Sequence, residues 1–135
     1  MSLLLDTGAL YAYYDRSDRW HTKMLAVIRK EARGLIVPAP VIPEVDYLLG
    51  ARLGAASRRA FYSGIIGSHF FVADLPRNAY LRVAEIDERF ADLELGFVDA
   101  SIVALAESLK VRRVATTDRR HFTPLASPFS LELLP

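Results

Sequence analysis

The stretch LLLDTGAL at residues 3–10 indicates the fold class, because it predicts a buried strand followed directly by a helix. Three consecutive leucines bounded by polar residues are typical of a short strand that is buried on both faces. Asp6, ahead of Thr7 and Gly8, is well suited to cap the helix that follows. The chain therefore begins with a strand and a helix joined by an acidic residue.

The same alternation continues to the end of the chain. Four more short apolar runs predict strands, at 35–37, 70–72, 114–116 and 131–134. Helical patterns are found at 18–33, from 40 to about 52, and at 55–66, 77–90 and 99–110. This order predicts an α/β fold, a three-layer α/β/α domain with a mainly parallel central sheet of about five strands. Such sheets bind ligands beyond the carboxyl ends of their strands.

Length and composition restrict the class of protein. The 135 residues are expected to form a single domain, 1–135, and at 52% hydrophobic residues the chain can bury a full core. The absence of cysteine excludes a disulfide scaffold, a thiolate zinc site and a cysteine nucleophile. The N-terminal stretch lacks the features of a signal peptide, and no apolar run approaches the ~20 residues of a membrane helix. We therefore expect a cytoplasmic protein with no membrane association.

Two acids are placed at strand ends by the predicted sheet. Asp6 follows the first strand, and Asp118 follows the apolar run that begins at Val114. Either residue taken alone could simply cap a helix or close an Asx turn. Together they place two carboxylates at the edge where an α/β sheet binds its ligands.

Asp99 shares a helix face with Ile102, Val103 and Ala106, which are core-type residues. An unpaired buried carboxylate is costly, so this position calls for a cation. The alternative is that Asp99 is an N-cap and that the helix begins one residue later.

Glu44 lies in the first turn of a helix that starts near Pro43, and its neighbours Tyr47 and Leu48 suggest that it points inward. Asp46 is a local rival that its own neighbours do not exclude. Oxygen ligands without cysteine or an HxxxH pair suit Mg²⁺, with Mn²⁺ as a substitute. Acidic sites of this kind hydrolyse phosphodiester bonds by activating a water molecule on the metal.

Four stretches, in this order, resemble the PIN-domain family, and within it the VapC-type toxins of bacterial and archaeal toxin–antitoxin pairs. They are LLLDTGAL (3–10), VIPEV (41–45), LGFVDASIVALAE (95–107) and VATTDRRHF (114–122). Each motif alone is weak, but four in order across nearly the whole chain are specific. Pro43 before Glu44 departs from the usual pattern, and it stays open whether Asp46 or Asp92 joins the site.

The resemblance implies a PIN-like fold and a Mg²⁺-dependent endoribonuclease that cleaves RNA. It also implies a small VapB-like antitoxin that covers the active-site groove, a homodimer and a higher toxin–antitoxin assembly. The implied catalytic acids are Asp6, Glu44, Asp99 and Asp118, of which Asp6, Asp99 and Asp118 hold the metal. The resemblance implies supporting hydroxyls at Thr7 and Thr116. Arg119 and Arg120, beside Asp118, are expected to contact RNA phosphates.

Other functions fit the sequence less well. Leu-Leu-Asp-Thr-Gly-Ala also surrounds the catalytic acid of aspartic proteases, but those enzymes are nearly all-β and this chain is rich in predicted helix. A non-catalytic RNA-binding or protein-interaction module on a PIN-like fold is the remaining alternative. A chelator separates the two, because it stops a metal-dependent nuclease and leaves a binding module unaffected.

Overall fold

The computed structural model describes residues 2–135 of the chain. Its strands are β1 (Leu3–Leu5), β2 (Leu35–Pro38), β3 (Phe71–Ala73), β4 (Arg113–Ala115) and β5 (Glu132–Leu134). The helices before β3 are α1 (Thr7–Tyr14), α2 (His21–Lys30), α3 (Ile42–Arg52) and α4 (Ala55–Ile66). Those after it are α5 (Ala79–Arg89), α6 (Gly96–Leu109) and α7 (Arg119–Phe129). Short 3₁₀ turns at Ala39–Val41 and Ala91–Leu93 precede α3 and α6.

All five strands join one sheet in the order β3-β2-β1-β4-β5, and every neighbouring pair is parallel. The predicted three-layer α/β/α fold is therefore confirmed, and the sheet is wholly parallel rather than mainly so. β1 lies at the centre between β2 and β4, with its three leucines fully buried. Because the strands run the same way, the residues that follow β1 and β4 emerge at one edge of the sheet.

Two groups of helices pack around this sheet. α1 contacts α2 and α3, and α3 contacts α4, whereas α6 contacts α5, α7 and β2. α6 is the most deeply placed helix, since its residues from Ala100 to Ala106 are all buried. Its first turn carries Asp99, so a rigid core helix holds that carboxylate in position.

The sequence patterns do not predict α7, because Pro124 and Pro128 lie inside it and proline removes backbone hydrogen bonds in a helix. The helix forms nevertheless, capped by Asp118 and anchored by the buried side chains of Phe122 and Leu125. The predicted helix at 18–33 is also shorter in the structure, where α2 spans only His21–Lys30.

Among residues 2–135, no helix has both the length and the apolar character that crossing a bilayer requires.

Candidate active site

Asp6 lies at the carboxyl end of β1 and is only 5% exposed. One carboxylate oxygen, Oδ1, accepts a hydrogen bond from the backbone N–H of Thr7 at 2.6 Å, which caps α1. The other oxygen, Oδ2, accepts from the Thr116 hydroxyl at 2.7 Å. The pKa of Asp6 is raised from 3.8 to about 6, mainly by burial and to a smaller extent by the nearby charges of Asp118 and Glu44, against the lowering effect of these hydrogen bonds.

The Thr116 hydroxyl joins two of the acids. This side chain is fully buried just beyond β4; it donates to Asp6 and accepts from the backbone N–H of Asp118 at 2.9 Å. Asp118 in turn accepts at Oδ1 from the backbone N–H of His121 at 3.1 Å and so caps α7. Asp6 and Asp118 are therefore both helix caps and members of one cluster, and the two roles do not exclude each other.

Glu44 reaches the cluster from α3 through Thr7. The Thr7 hydroxyl donates to Glu44 Oε1 at 2.6 Å, and Thr7 directly follows Asp6 in the chain. Glu44 was expected to point inward; its side chain is exposed rather than buried, and its hydrogen bond to Thr7 places it at the rim of the site. Its rival Asp46 faces α4, where it accepts from Tyr62 and pairs with Arg58 at 3.5 Å.

Asp99 lies within the first turn of α6, three residues after the helix begins at Gly96. The alternative that Asp99 is an N-cap is therefore wrong. The pKa of Asp99 is raised to about 7, first by burial and then by repulsion from Asp6, Asp118 and Glu44, against the lowering effect of the nearby imidazole of His121. Because α6 is buried in the core, it holds the Asp99 carboxylate close to the other acids.

His121 is a site residue that the sequence reasoning did not place in the acidic cluster. Its Nδ1 lies 2.8 Å from Asp118 Oδ2 and 3.3 Å from Asp99 Oδ2, so the imidazole bridges the two carboxylates. The sequence feature that points to His121 is its position three residues after Asp118 at the start of a helix, because this spacing places both side chains at the first turn. That signal was lost because α7 itself was not predicted.

The remaining predicted residues lie at the edge of this cluster or outside it. Arg119 donates to the backbone carbonyl of Pro135, whereas Arg120 is exposed to solvent. Asp92 is exposed in the 3₁₀ turn before α6, and among residues 2–135 it forms no hydrogen bond or ion pair with the four acids.

The arrangement suits a divalent metal ion. Within the part of the chain that the structure describes, no lysine or arginine forms an ion pair with Asp6, Glu44, Asp99 or Asp118. Ligand atoms of Asp99, Asp118 and His121 all lie within 4.8 Å of one another. Clustered carboxylates that lack a lysine or arginine partner, two of them with raised pKa values, gain most from a bound cation.

Known proteins have related sequences and folds. The family model described as PIN domain matches residues 3–126. Ribonuclease VapC26 of Mycobacterium tuberculosis is 32% identical over 123 residues, which cover 91% of each chain.

Solved structures share the fold. The sarcin–ricin-loop-cleaving toxin VapC20 of Mycobacterium tuberculosis superposes with a TM-score of 0.83 at 18% identity, over 91% of this chain and 95% of that one. FitAcB from Neisseria gonorrhoeae has a TM-score of 0.71 at 15% identity, over 98% of this chain and 96% of that one. The acidic edge, the parallel sheet and these likenesses together show that the chain belongs to the PIN-domain family, among relatives of the VapC type.

Proposed function

We propose that this protein is a Mg²⁺-dependent endoribonuclease and the toxin of a VapBC-type toxin–antitoxin pair. The observation that carries the proposal is the cluster of Asp6, Asp99 and Asp118, in which two carboxyl groups have raised pKa values and no lysine or arginine of residues 2–135 pairs with them. The ribonuclease named among the relatives supports RNA as the substrate.

In this proposal each residue has a distinct role. Asp6, Asp99 and Asp118 hold the metal, and Glu44 acts as a fourth acid at the rim. When bound, the ion supplies an activated water and neutralises charge on the phosphodiester. Mn²⁺ serves as a substitute, because carboxylates accept both ions.

The hydroxyl groups and the basic residues position the rest of the reaction. The hydrogen bonds of Thr116 fix the positions of Asp6 and Asp118 relative to each other, and the hydrogen bond from Thr7 holds Glu44 beside them. Arg120, exposed in the first turn of α7, contacts RNA phosphates, with Arg119 beside it.

We also propose that a small VapB-like antitoxin covers this groove, that the toxin forms a homodimer which enters a higher toxin–antitoxin assembly, and that it acts in the cytoplasm. The relatives of VapC type support this assignment. Co-expression with the product of a short adjoining gene should suppress both toxicity and RNA cleavage. Unchanged cleavage in the presence of every such product would contradict the pairing without affecting the nuclease assignment.

The decisive experiment maps cleavage in total RNA with the purified wild-type protein and the Asp99→Asn variant. We expect Mg²⁺ or Mn²⁺ to support cleavage, EDTA to stop it, and Asp99→Asn to abolish it while the circular dichroism spectrum stays native. Full activity of Asp99→Asn would refute the site. RNA binding without cleavage, insensitive to chelator, would instead establish the non-catalytic module.

A further inference from the structure

Tyr47 on α3 exposes more of its side chain than any other aromatic residue described as exposed, at 72%. In the described range of the chain, its hydroxyl makes no hydrogen bond and its ring has no aromatic neighbour. The other exposed tyrosines differ in this respect, since Tyr62 donates to Asp46 and Tyr80 stacks on Phe97. A large aromatic surface left in water and held by no neighbour is available for binding.

The position of Tyr47 puts this ring beside the acidic cluster. Residues three apart share a helix face, and Tyr47 follows Glu44 at a rise of about 4.5 Å along α3. Helical side chains lean toward the N-terminus, so the ring covers the turn that carries Glu44. Glu44 is itself tied to Thr7, next to Asp6. The ring is therefore one helical turn from the rim of the site.

The next turn of α3 leaves the ring uncovered. Gly50 and Ala51, the following residues on that face, are too small to cover it. Glu44 and Pro43 precede it, so along α3 the ring lies beside a charge rather than in a broad apolar patch. A protein partner normally requires such a patch, whereas one planar nucleobase needs only one ring face.

We infer that Tyr47 is a stacking platform for an unpaired nucleobase of the RNA, next to the phosphodiester that is cleaved. Sequence-specific RNA recognition relies on unstacked bases that pack on aromatic side chains. The inference rests on the proposed nuclease function and makes Tyr47 a specificity-determining residue of that reaction. It also favours single-stranded or loop RNA over a continuous duplex, whose bases are stacked on one another.

The test compares Tyr47→Leu with Tyr47→Phe on an RNA oligonucleotide that contains the mapped cleavage site in a loop. Loss of one stacked base is worth about 1–3 kcal/mol, so Tyr47→Leu should raise KM about 5- to 150-fold. kcat should change little, because stacking is the same in the ground and transition states. Tyr47→Phe keeps the ring and should keep the wild-type KM. Tyr80→Leu, which removes an exposed ring already stacked on Phe97, serves as the matched control.

A spectroscopic readout identifies the stacked base directly. 2-Aminopurine placed in turn on each side of the cleavage site should be quenched by the wild-type protein at one position, and Tyr47→Leu should remove that quenching. A wild-type KM for Tyr47→Leu, with cleavage intact, would overturn the inference and leave the nuclease assignment standing. If that variant instead escaped inhibition by the antitoxin, the ring would belong to a protein interface. Failure of the wild-type protein to cleave any RNA would overturn both proposals.

Discussion

Replacing Asp99 with asparagine should stabilise the metal-free protein at neutral and alkaline pH. In the folded state the pKa of Asp99 is raised from 3.8 to about 7, mainly by burial. The neutral carboxyl is therefore the form that favours folding. Its contribution is fully present below pH 3.8 and is lost as the pH rises through about 7.

The size of the effect follows from that shift. Each pKa unit corresponds to about 1.4 kcal/mol, so a shift of about three units sets an upper limit of about 4 kcal/mol. The pKa of about 7 already includes the lowering effect of His121, and hydration of the side chain, which is 15% exposed, reduces the penalty below this limit. We expect the free energy of unfolding of Asp99→Asn to exceed that of the wild-type protein by about 2 kcal/mol at pH 8 and by almost nothing at pH 4.

Urea unfolding in EDTA, followed by circular dichroism between pH 4 and pH 8.5, measures this difference. The wild-type pKa of Asp6 is also raised, to about 6, and mainly by burial, which the substitution leaves in place, so the pH dependence should weaken in the variant rather than disappear. Adding Mg²⁺ should stabilise the wild-type protein more than Asp99→Asn, because only the former retains the full set of acids. Parallel stability curves for the two proteins across this pH range would show that folding does not raise the pKa of Asp99.

Three further pairs of substitutions test the geometry of the site. A Cβ on Gly8 would lie 2.2 Å from the Thr117 hydroxyl oxygen, so Gly8→Ala should displace the turn before Asp118 and reduce cleavage by about 100-fold. Thr117→Ala removes that oxygen and should restore activity in the double variant; no rescue would refute the steric explanation. Thr116→Val should cost about 1–3 kcal/mol in urea unfolding, because Asp6 and the Asp118 N–H lose a buried partner, whereas Thr116→Ser should cost little. Glu44→Gln should reduce cleavage by at least about tenfold, since the loss of one catalytic group costs that much or more. Asp46→Asn should reduce cleavage by less than about twofold, because Asp46 pairs with α4 instead. A larger loss for Asp46→Asn than for Glu44→Gln in a cleavage assay would reverse the choice between them.

Much of the fold could be predicted from residues close together in the chain. Short apolar runs marked all five strands to within a residue or two, and the predicted helix at 55–66 coincides with α4 at both ends. Helix periodicity and short apolar runs are properties of local sequence, so local patterns suffice to locate these elements. Strand burial is not local, since Phe71 and Val72 of the edge strand β3 are exposed. The same approach failed at α7, where tertiary packing of Phe122 and Leu125 outweighs the two prolines inside the helix.

The candidate site was predictable only in part. Asp6 and Asp118 could be placed at strand ends from the chain alone, because every parallel strand ends at the same edge of the sheet. Glu44 and Asp46 could not be separated in this way, since each lies in the same helix among similar neighbours. The structure separates them by their partners, Thr7 for one and Arg58 with Tyr62 for the other.

The α/β alternation, the family resemblance and the acids at the sheet edge can all be predicted from the amino-acid sequence. Three features depend on tertiary contacts: His121 bridges Asp99 and Asp118, Glu44 lies at the rim, and Tyr47 is exposed beside it. The reason is that these features depend on contacts between distant segments, such as the bond between Thr116 and Asp6, 110 residues apart. Local sequence patterns predict which face of a helix or strand is apolar, whereas the contacts between side chains of distant segments depend on tertiary packing.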